Sequence, residues 1–135
     1  MKVRESSGLC RPWTGTSLGR STGQELSAAT GAGVAPDAIV LDPGFGFSKT
    51  VEQSVVLFDQ LSALQALGRP LLVGPSRKRF LGAITGLPVE DRDRATAAAC
   101  ALAWERGARL FRVHAVAAAR EALAIVHALD FSFHP

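Results

Sequence analysis

Three short apolar segments, each followed by a polar loop and then by an amphipathic segment, constrain the fold of this chain more than any other feature. Their β-branched and leucine residues predict buried strands over residues 38–41, 70–73 and 108–113. Helices are predicted over residues 50–67, 78–84, 91–106 and 116–129. Strands and helices alternate, with connections long enough for right-handed crossovers, so the sequence predicts an α/β fold with a parallel sheet.

The first and third predicted helices carry further local detail. Thr50 and Gln53 have the spacing of a capping box, and Gly68 followed by Pro70 predicts the end of that helix. In the helix over residues 91–106, one face is predicted to point inward. That face consists of Ala95, Ala98, Ala99 and Leu102.

Composition limits the classes of function. Hydrophobic residues make up 47% of the 135 residues and charged residues 20%, which is typical of a globular domain. The net charge of +3 is small, and no run of lysine and arginine alternates with stacking aromatic residues, so nucleic acid is not expected as a partner. No apolar run approaches the roughly 18 residues of a membrane helix, so no membrane partner is expected either.

Cysteine usage predicts a reducing compartment. Cys10 and Cys100 lie far apart and lack the spacing of metal ligands, which favours two unpaired thiols. Together with the lack of a signal-peptide pattern, this predicts a cytoplasmic protein.

Residues 1–33 differ in composition from the rest of the chain. They are rich in Gly, Ser, Thr and Arg and show no period of 2 or 3.6, which predicts a disordered leader. The sequence therefore predicts a non-homologous leader over residues 1–33 and a patterned domain over residues 34–135. We also hypothesise that the leader is an out-of-frame or wrongly assigned start, joined to the true reading frame near Gly33.

Polar side chains follow each of the three predicted strands. They are Asp42 after the first strand, Ser76, Arg77 and Lys78 after the second, and Arg112 and His114 at the end of the third. The carboxyl ends of parallel strands lie at one edge of a sheet, and this edge is where α/β proteins build ligand sites. The sequence therefore predicts that these side chains converge on one site.

Each residue type admits a structural and a functional interpretation. Asp42 either forms a turn or accepts two N–H donors from a planar heterocycle, and Gly46 either forms a turn or permits close approach of a ligand. Phe47 either belongs to the core or packs on a planar ligand. Ser76, Arg77 and Lys78 either begin a solvated helix or bind a polar or anionic group, since cations are unfavourable at a helix N-terminus.

Arg112 and His114 either stabilise the strand end or bind a phosphate or diphosphate together. A P-loop is excluded, because Ser48 stands where the motif needs the glycine before Lys-Ser/Thr, and Pro43 stands where it needs the first glycine.

Three motifs carry a resemblance to a known family. DPGFGFSKT from residue 42, GPSRKRFLG from residue 74 and RVH from residue 112 resemble, in this order, the C-terminal part of dihydropteroate synthase. The resemblance covers residues 34–129. It implies the last three βα units of a TIM (β/α)8 barrel. The activity implied is the condensation of p-aminobenzoate with 6-hydroxymethyl-7,8-dihydropterin diphosphate in folate biosynthesis, with release of diphosphate.

The resemblance also implies roles for individual residues. It implies catalytic and pterin-binding roles for Asp42 and Lys78, pterin binding for Gly46, p-aminobenzoate binding for Phe47, Ser76 and Arg77, and diphosphate binding for Arg112 and His114. It implies Mg2+ as cofactor, with no protein ligand to the metal in this chain.

Two other interpretations remain open. The first is the pterin-binding domain of a corrinoid-linked methyltransferase, although a folate methyl donor offers no diphosphate for Arg112 and His114. The second is a non-enzymatic half-barrel that forms a homodimer or joins a complementary half-barrel. For the isolated chain, which carries three of eight βα units, the sequence predicts no measurable condensation.

Overall fold

Two of the predicted strands form a small parallel sheet, and a third segment joins it by a single bridge. The computed structural model describes residues 15–47 and 49–133, with side chains for residues 20–47 and 49–130. Strand β1 covers Leu71–Val73 and strand β2 covers Ala108–Phe111, and they pair in parallel. On the other side of β1, Leu41 forms a parallel bridge with Leu71. The predicted α/β fold with a parallel sheet is confirmed.

Helices account for most of the remaining described residues. They are α1 (Gly15–Gly31), α2 (Val51–Asp59), α3 (Arg79–Thr85), α4 (Asp93–Glu105) and α5 (Val116–Phe133). Short 3-10 segments cover Pro36–Ala38, Leu61–Leu67 and Val89–Asp91. Within the described parts of the chain, no helix combines the length and the hydropathy needed to cross a membrane.

The first predicted strand is shorter than expected. Residues 38–41 were predicted as a strand, but Pro36–Ala38 forms a 3-10 turn and only Leu41 pairs with β1. Proline favours the start of such a turn because its φ angle is fixed near the helical value. The pairing that remains is well formed, since Leu72 donates its N–H to the Leu41 carbonyl at 2.8 Å.

The helix predicted over residues 50–67 begins as expected and then changes type. The Thr50 side chain accepts the Gln53 N–H at 3.1 Å and the Gln53 side chain accepts the Thr50 N–H at 2.9 Å, which confirms the capping box. After Asp59 the chain tightens into the 3-10 segment Leu61–Leu67. Gly68 ends this segment with a φ of 64°, a left-handed conformation that favours glycine.

The prediction of disorder is wrong for the described part of residues 1–33. Helix α1 occupies Gly15–Gly31, and a β-carbon placed on its Gly23 would lie 3.6 Å from Leu67. Weak local propensity is outweighed here by packing against the Leu61–Leu67 segment, which is how most helices in proteins gain their stability. Residues 1–14, including Cys10, lie outside the described residues.

Helix α4 buries only part of the predicted face, since Ala95 and Ala99 pack at the core as expected. Ala98 and Leu102 are exposed, whereas Thr96, Ala97, Cys100 and Ala103 are buried with Ala99. A helix so rich in alanine gives little contrast between its faces, so the pattern of apolar residues does not determine its rotation. The observed rotation points the Thr96 hydroxyl toward the loop after β1.

The core lies between the sheet and the helices that follow its first two segments. It contains a leucine cluster and two phenylalanine rings, Phe45 and Phe80, whose centroids are 5.9 Å apart. The most buried aliphatic side chains are Leu57, Leu61, Leu64, Leu71 and Val73. Since these side chains come from α2, the 3-10 segment and β1, the core fixes the position of the loops that leave the sheet.

Leu64→Ala should destabilise the protein strongly. Its side chain is 0% exposed, so truncation removes buried methyl groups and leaves a cavity, at an expected cost of about 2–5 kcal/mol. Ile125, which is 64% exposed, provides the matched control, and Ile125→Ala should change stability by less than about 0.5 kcal/mol. Urea denaturation followed by circular dichroism measures both, and equal losses would contradict this core.

Candidate functional site

The loops that follow Leu41, β1 and β2 surround one cavity of about 340 Å³. It is lined by Phe47, Gly74, Ser76, Lys78, Arg112, Val113 and His114. Five of these residues are among those predicted to form the site. The described residues of the three loops therefore meet as the parallel strand order predicts.

Asp42 joins the first loop to the third. One carboxylate oxygen accepts the Gly44 N–H at 2.8 Å, and the other accepts a hydrogen bond from Arg112 Nη2 at 3.1 Å. The Asp42 side chain is 34% exposed and that of Arg112 is 61% exposed, so a ligand can reach both groups. Asp42 therefore forms a turn, as one interpretation predicted, and its carboxylate is accessible beside Arg112. Asp42 itself is not among the described residues that line the cavity.

Ser76 joins the second loop to the third. Its buried hydroxyl oxygen accepts the His114 backbone N–H at 3.0 Å and lies 2.7 Å from His114 Nδ1. The hydroxyl can donate to Nδ1 or accept from it, according to the tautomer of the ring. In both cases the two contacts with Ser76 fix His114 beside the cavity.

Phe47 and Lys78 form the opposite wall. The Phe47 ring is 61% exposed, which is unusual for phenylalanine, and Lys78 Nζ lies 4.8 Å from the ring centroid. Gly46 allows this approach: its φ is 76°, and a β-carbon there would lie 2.9 Å from Lys78 Cδ. The close approach seen at Gly46 is that of Lys78 within the chain, and the approach of a ligand there stays a prediction.

Arg77 lies in the same loop, but its side chain points away. Its guanidinium donates to both carboxylate oxygens of Asp93, at 2.8 and 2.7 Å. This hydrogen-bonded pair lowers the pKa of Asp93 and raises the pKa of Arg77. Among the described residues that line the cavity, Arg77 is absent. The p-aminobenzoate contact implied for Arg77 thus has no geometric support in its guanidinium.

Sequence reasoning missed four residues that organise these loops. Lys49 donates to the Gly44 carbonyl at 3.0 Å and so braces the first loop. Around Arg77, the second loop is held by Arg92, Asp93 and Thr96. In the sequence, the one sign of these contacts is the run of charges DRDR over residues 91–94, where the alanine-rich helix α4 begins. Such a run is equally typical of a solvated helix start.

Other chemistries find little support in this region. Within residues 15–47 and 49–133, no group of three or more His, Cys, Asp or Glu side chains is placed to hold a metal ion. Cys100 is a free, buried thiol, and burial raises its pKa to about 11. At neutral pH it is therefore protonated and a poor nucleophile.

Asp93→Asn should lower stability at neutral pH more than at acidic pH. The pKa of Asp93 is lowered in the folded protein, so its contribution is present above the ordinary carboxyl pKa of about 3.9 and is lost as pH falls through the folded value. Thermal unfolding of both proteins between pH 7 and pH 2 measures this, and the difference in Tm should shrink as pH falls. A constant difference would contradict it.

Comparison with known proteins agrees with this site. The model of the family described as "Pterin binding enzyme" matches residues 17–114. This match starts ahead of the boundary predicted at residue 33 and includes most of α1.

Similar proteins in other organisms include several dihydropteroate synthases. That of Synechocystis sp. is 45% identical over 106 residues, which are 78% of this chain and 37% of that protein. The Xanthomonas albilineans enzyme in complex with 7,8-dihydropteroate superposes with a TM-score of 0.83 at 38% identity, covering 92% of this chain and 48% of that one. Its structure with 4-aminobenzoic acid gives 0.82 at 40% identity, with coverage of 89% and 44%. The chain therefore spans less than half the length of these relatives, and by the match over residues 17–114 it belongs to the pterin-binding enzyme family.

Proposed function

We propose that this chain supplies part of the active site of a dihydropteroate synthase. The observation that carries the proposal is the single cavity shared by Phe47, Ser76, Lys78, Arg112 and His114, which come from three separate loops. It offers an aromatic wall, a hydroxyl, an imidazole and two cationic groups, those of Lys78 and Arg112. These suit a planar heterocycle, an aromatic amine and a diphosphate. The TIM barrel implied for the whole enzyme is part of the same proposal, with this sheet as its last three strands.

In this proposal the pterin ring binds between Lys78, which lines the cavity, and Asp42, which contacts the lining residue Arg112. The carboxylate of Asp42 accepts hydrogen bonds from N–H groups of the ring. Because this carboxylate is partly exposed, the ring can replace Arg112 as its partner. Lys78 donates to the ring, and Gly46 keeps the backbone clear of the Lys78 stem. p-Aminobenzoate then packs on Phe47 beside Ser76.

The reaction needs a cationic environment for the leaving group. The bond between the methylene carbon and the diphosphate oxygen breaks, and the electron pair stays on the diphosphate. The amino nitrogen of p-aminobenzoate forms the new bond to this carbon and loses a proton. Arg112 and His114 stabilise the departing charge by hydrogen bonds from the guanidinium and the imidazole. The same pair disfavours the corrinoid-linked methyltransferase alternative, whose folate methyl donor carries no diphosphate.

Magnesium is implied by the resemblance but has no ligand set among the described residues. Among the described residues, no group of three or more His, Cys, Asp or Glu side chains is placed to hold a metal ion. The described residues therefore do not by themselves form a magnesium site.

A partner is a further part of the proposal. Apolar side chains remain exposed on α3, α4 and α5, among them Ile84, Leu102 and Leu129. A second copy or a complementary half-barrel would cover them, and size-exclusion chromatography tests this by the mass of the eluting species.

A chimaeric enzyme tests the function directly. Residues 17–114 replace the matching segment of the Synechocystis dihydropteroate synthase, and formation of dihydropteroate is measured. The chimaera should be active, and its Asp42→Asn variant should lose activity by about 10²-fold or more, because the ring N–H groups lose their charged acceptor. A folded, inactive chimaera, or an unaffected variant, would contradict the proposal. The isolated chain should show no measurable condensation.

Gly46→Ala should weaken binding of the pterin diphosphate beyond any effect on stability. The new methyl group meets Lys78 and moves its ammonium group, and the φ of 76° is unfavourable for alanine. Gly33→Ala is the matched control, because Gly33 also has a positive φ, 93°, but nothing within 4 Å of the added carbon. Isothermal titration of the chimaera should show reduced affinity only for Gly46→Ala, and equal affinities would count against the pterin contact of Lys78.

A further inference from the structure

The turn that carries Ser76 and Lys78 has an unfavourable backbone at its centre. Lys78 donates its N–H to the Pro75 carbonyl at 3.2 Å, which closes a four-residue turn. Arg77, the third residue of this turn, has a φ of 55°, and it is the one residue other than glycine with positive φ in the described chain. Such a position favours glycine or asparagine. An arginine remains there only if its surroundings hold it.

The start of α4 holds Arg77 on three sides. The buried Thr96 hydroxyl oxygen accepts the Arg77 N–H at 3.0 Å. Arg92 donates from Nη1 to the Arg77 carbonyl at 3.2 Å. Asp93 accepts two hydrogen bonds from the Arg77 guanidinium. The start of α4 therefore binds Arg77 through its backbone N–H, its backbone carbonyl and its side chain.

We propose that Thr96 and Asp93 are positioning residues for the substrate loop, and that Arg77 acts as their anchor rather than as a substrate contact. This inference rests on the proposed function for its meaning in catalysis. Both neighbours of Arg77, Ser76 and Lys78, line the cavity, so the backbone conformation of Arg77 sets the direction in which both side chains leave the loop. Opening the turn would move Ser76 from His114 and Lys78 from Phe47.

This arrangement also accounts for the type of residue at each position. A glycine at residue 77 would relieve the backbone but would remove the guanidinium that binds Asp93. An apolar residue at position 96 would fill the same buried space but leave the Arg77 N–H without an acceptor, which is unfavourable. The hydroxyl of Thr96 is thus the group whose removal isolates the positioning role.

The test compares Thr96→Val with Thr96→Ser in the full chain. Valine keeps the shape and removes the hydroxyl, whereas serine keeps it. Thr30→Val is the matched control, since the Thr30 hydroxyl donates to the Leu26 carbonyl in α1, away from the cavity. Amide hydrogen exchange, followed by NMR at Arg77 and Lys78, reports opening of the turn. We expect exchange to rise about fivefold or more in Thr96→Val and to stay within about twofold in the other two variants.

Binding provides a second readout. Affinity for 6-hydroxymethyl-7,8-dihydropterin diphosphate should fall about fivefold or more in Thr96→Val and recover in Thr96→Ser, which a general loss of stability would not produce. If the unmodified chain does not bind this compound, the proposed function fails for the isolated chain, while the exchange measurement still decides the positioning role. Exchange at Lys78 that is equal in Thr96→Val and Thr30→Val would overturn the inference.

Asp93→Asn keeps the inference testable if Thr96→Val does not fold. It preserves the shape of a partly exposed side chain and removes the charge that Arg77 binds. We expect faster exchange at the Arg77 amide and loss of the sharp Arg77 Nε–H resonance that a fixed guanidinium gives. An unchanged Nε–H resonance together with unchanged amide exchange would show that α4 does not hold the turn.

Discussion

Parallel hydrogen bonding around Leu71 is the interaction on which the rest of this structure depends. Leu71 lies in β1, which is bridged to Leu41 on one side and paired with β2 on the other. Because all three segments run the same way, the loops after them leave from one edge of the sheet. Asp42 therefore lies within hydrogen-bonding distance of Arg112, which is 70 residues further along the chain. Without this pairing the side chains of the cavity would have no common location.

The loops themselves are tied together by side-chain hydrogen bonds rather than by further sheet. Asp42 with Arg112 and Ser76 with His114 each connect two loops, and Lys49 braces the first loop from the start of α2. Each bond joins groups that are also suited to bind a polar ligand. A ligand that replaces one of these partners would enter a site whose remaining bonds still hold its shape, which is what preorganisation requires.

Local sequence rules predicted the parts of this fold that local chemistry controls. The capping box of Thr50 and the end of the helix at Gly68 follow from groups a few residues apart, and both are confirmed. Convergence of the loops followed from strand order alone. The disorder expected for residues 1–33 was wrong over Gly15–Gly31, because the stability of α1 comes from packing against the distant Leu61–Leu67 segment. The roles of Thr96 and Asp93 were invisible for the same reason, since their partner Arg77 is far away in sequence.

The Arg77–Asp93 and Arg112–Asp42 ion pairs differ in exposure and in the number of hydrogen bonds that join them. Arg77 and Asp93 are both less than one third exposed and share two hydrogen bonds in a planar geometry, so the pair is rigid and costly to break. Arg112 reaches Asp42 by one hydrogen bond and is mostly exposed, so that attraction is screened by solvent and readily exchanged for a ligand. A binding site needs both kinds of contact, because the fixed pair holds the loop still while the exchangeable pair keeps a carboxylate and a guanidinium available. The same two residue types therefore form a fixed contact between the second loop and α4 and an exposed contact between the first and third loops, and burial and geometry decide which.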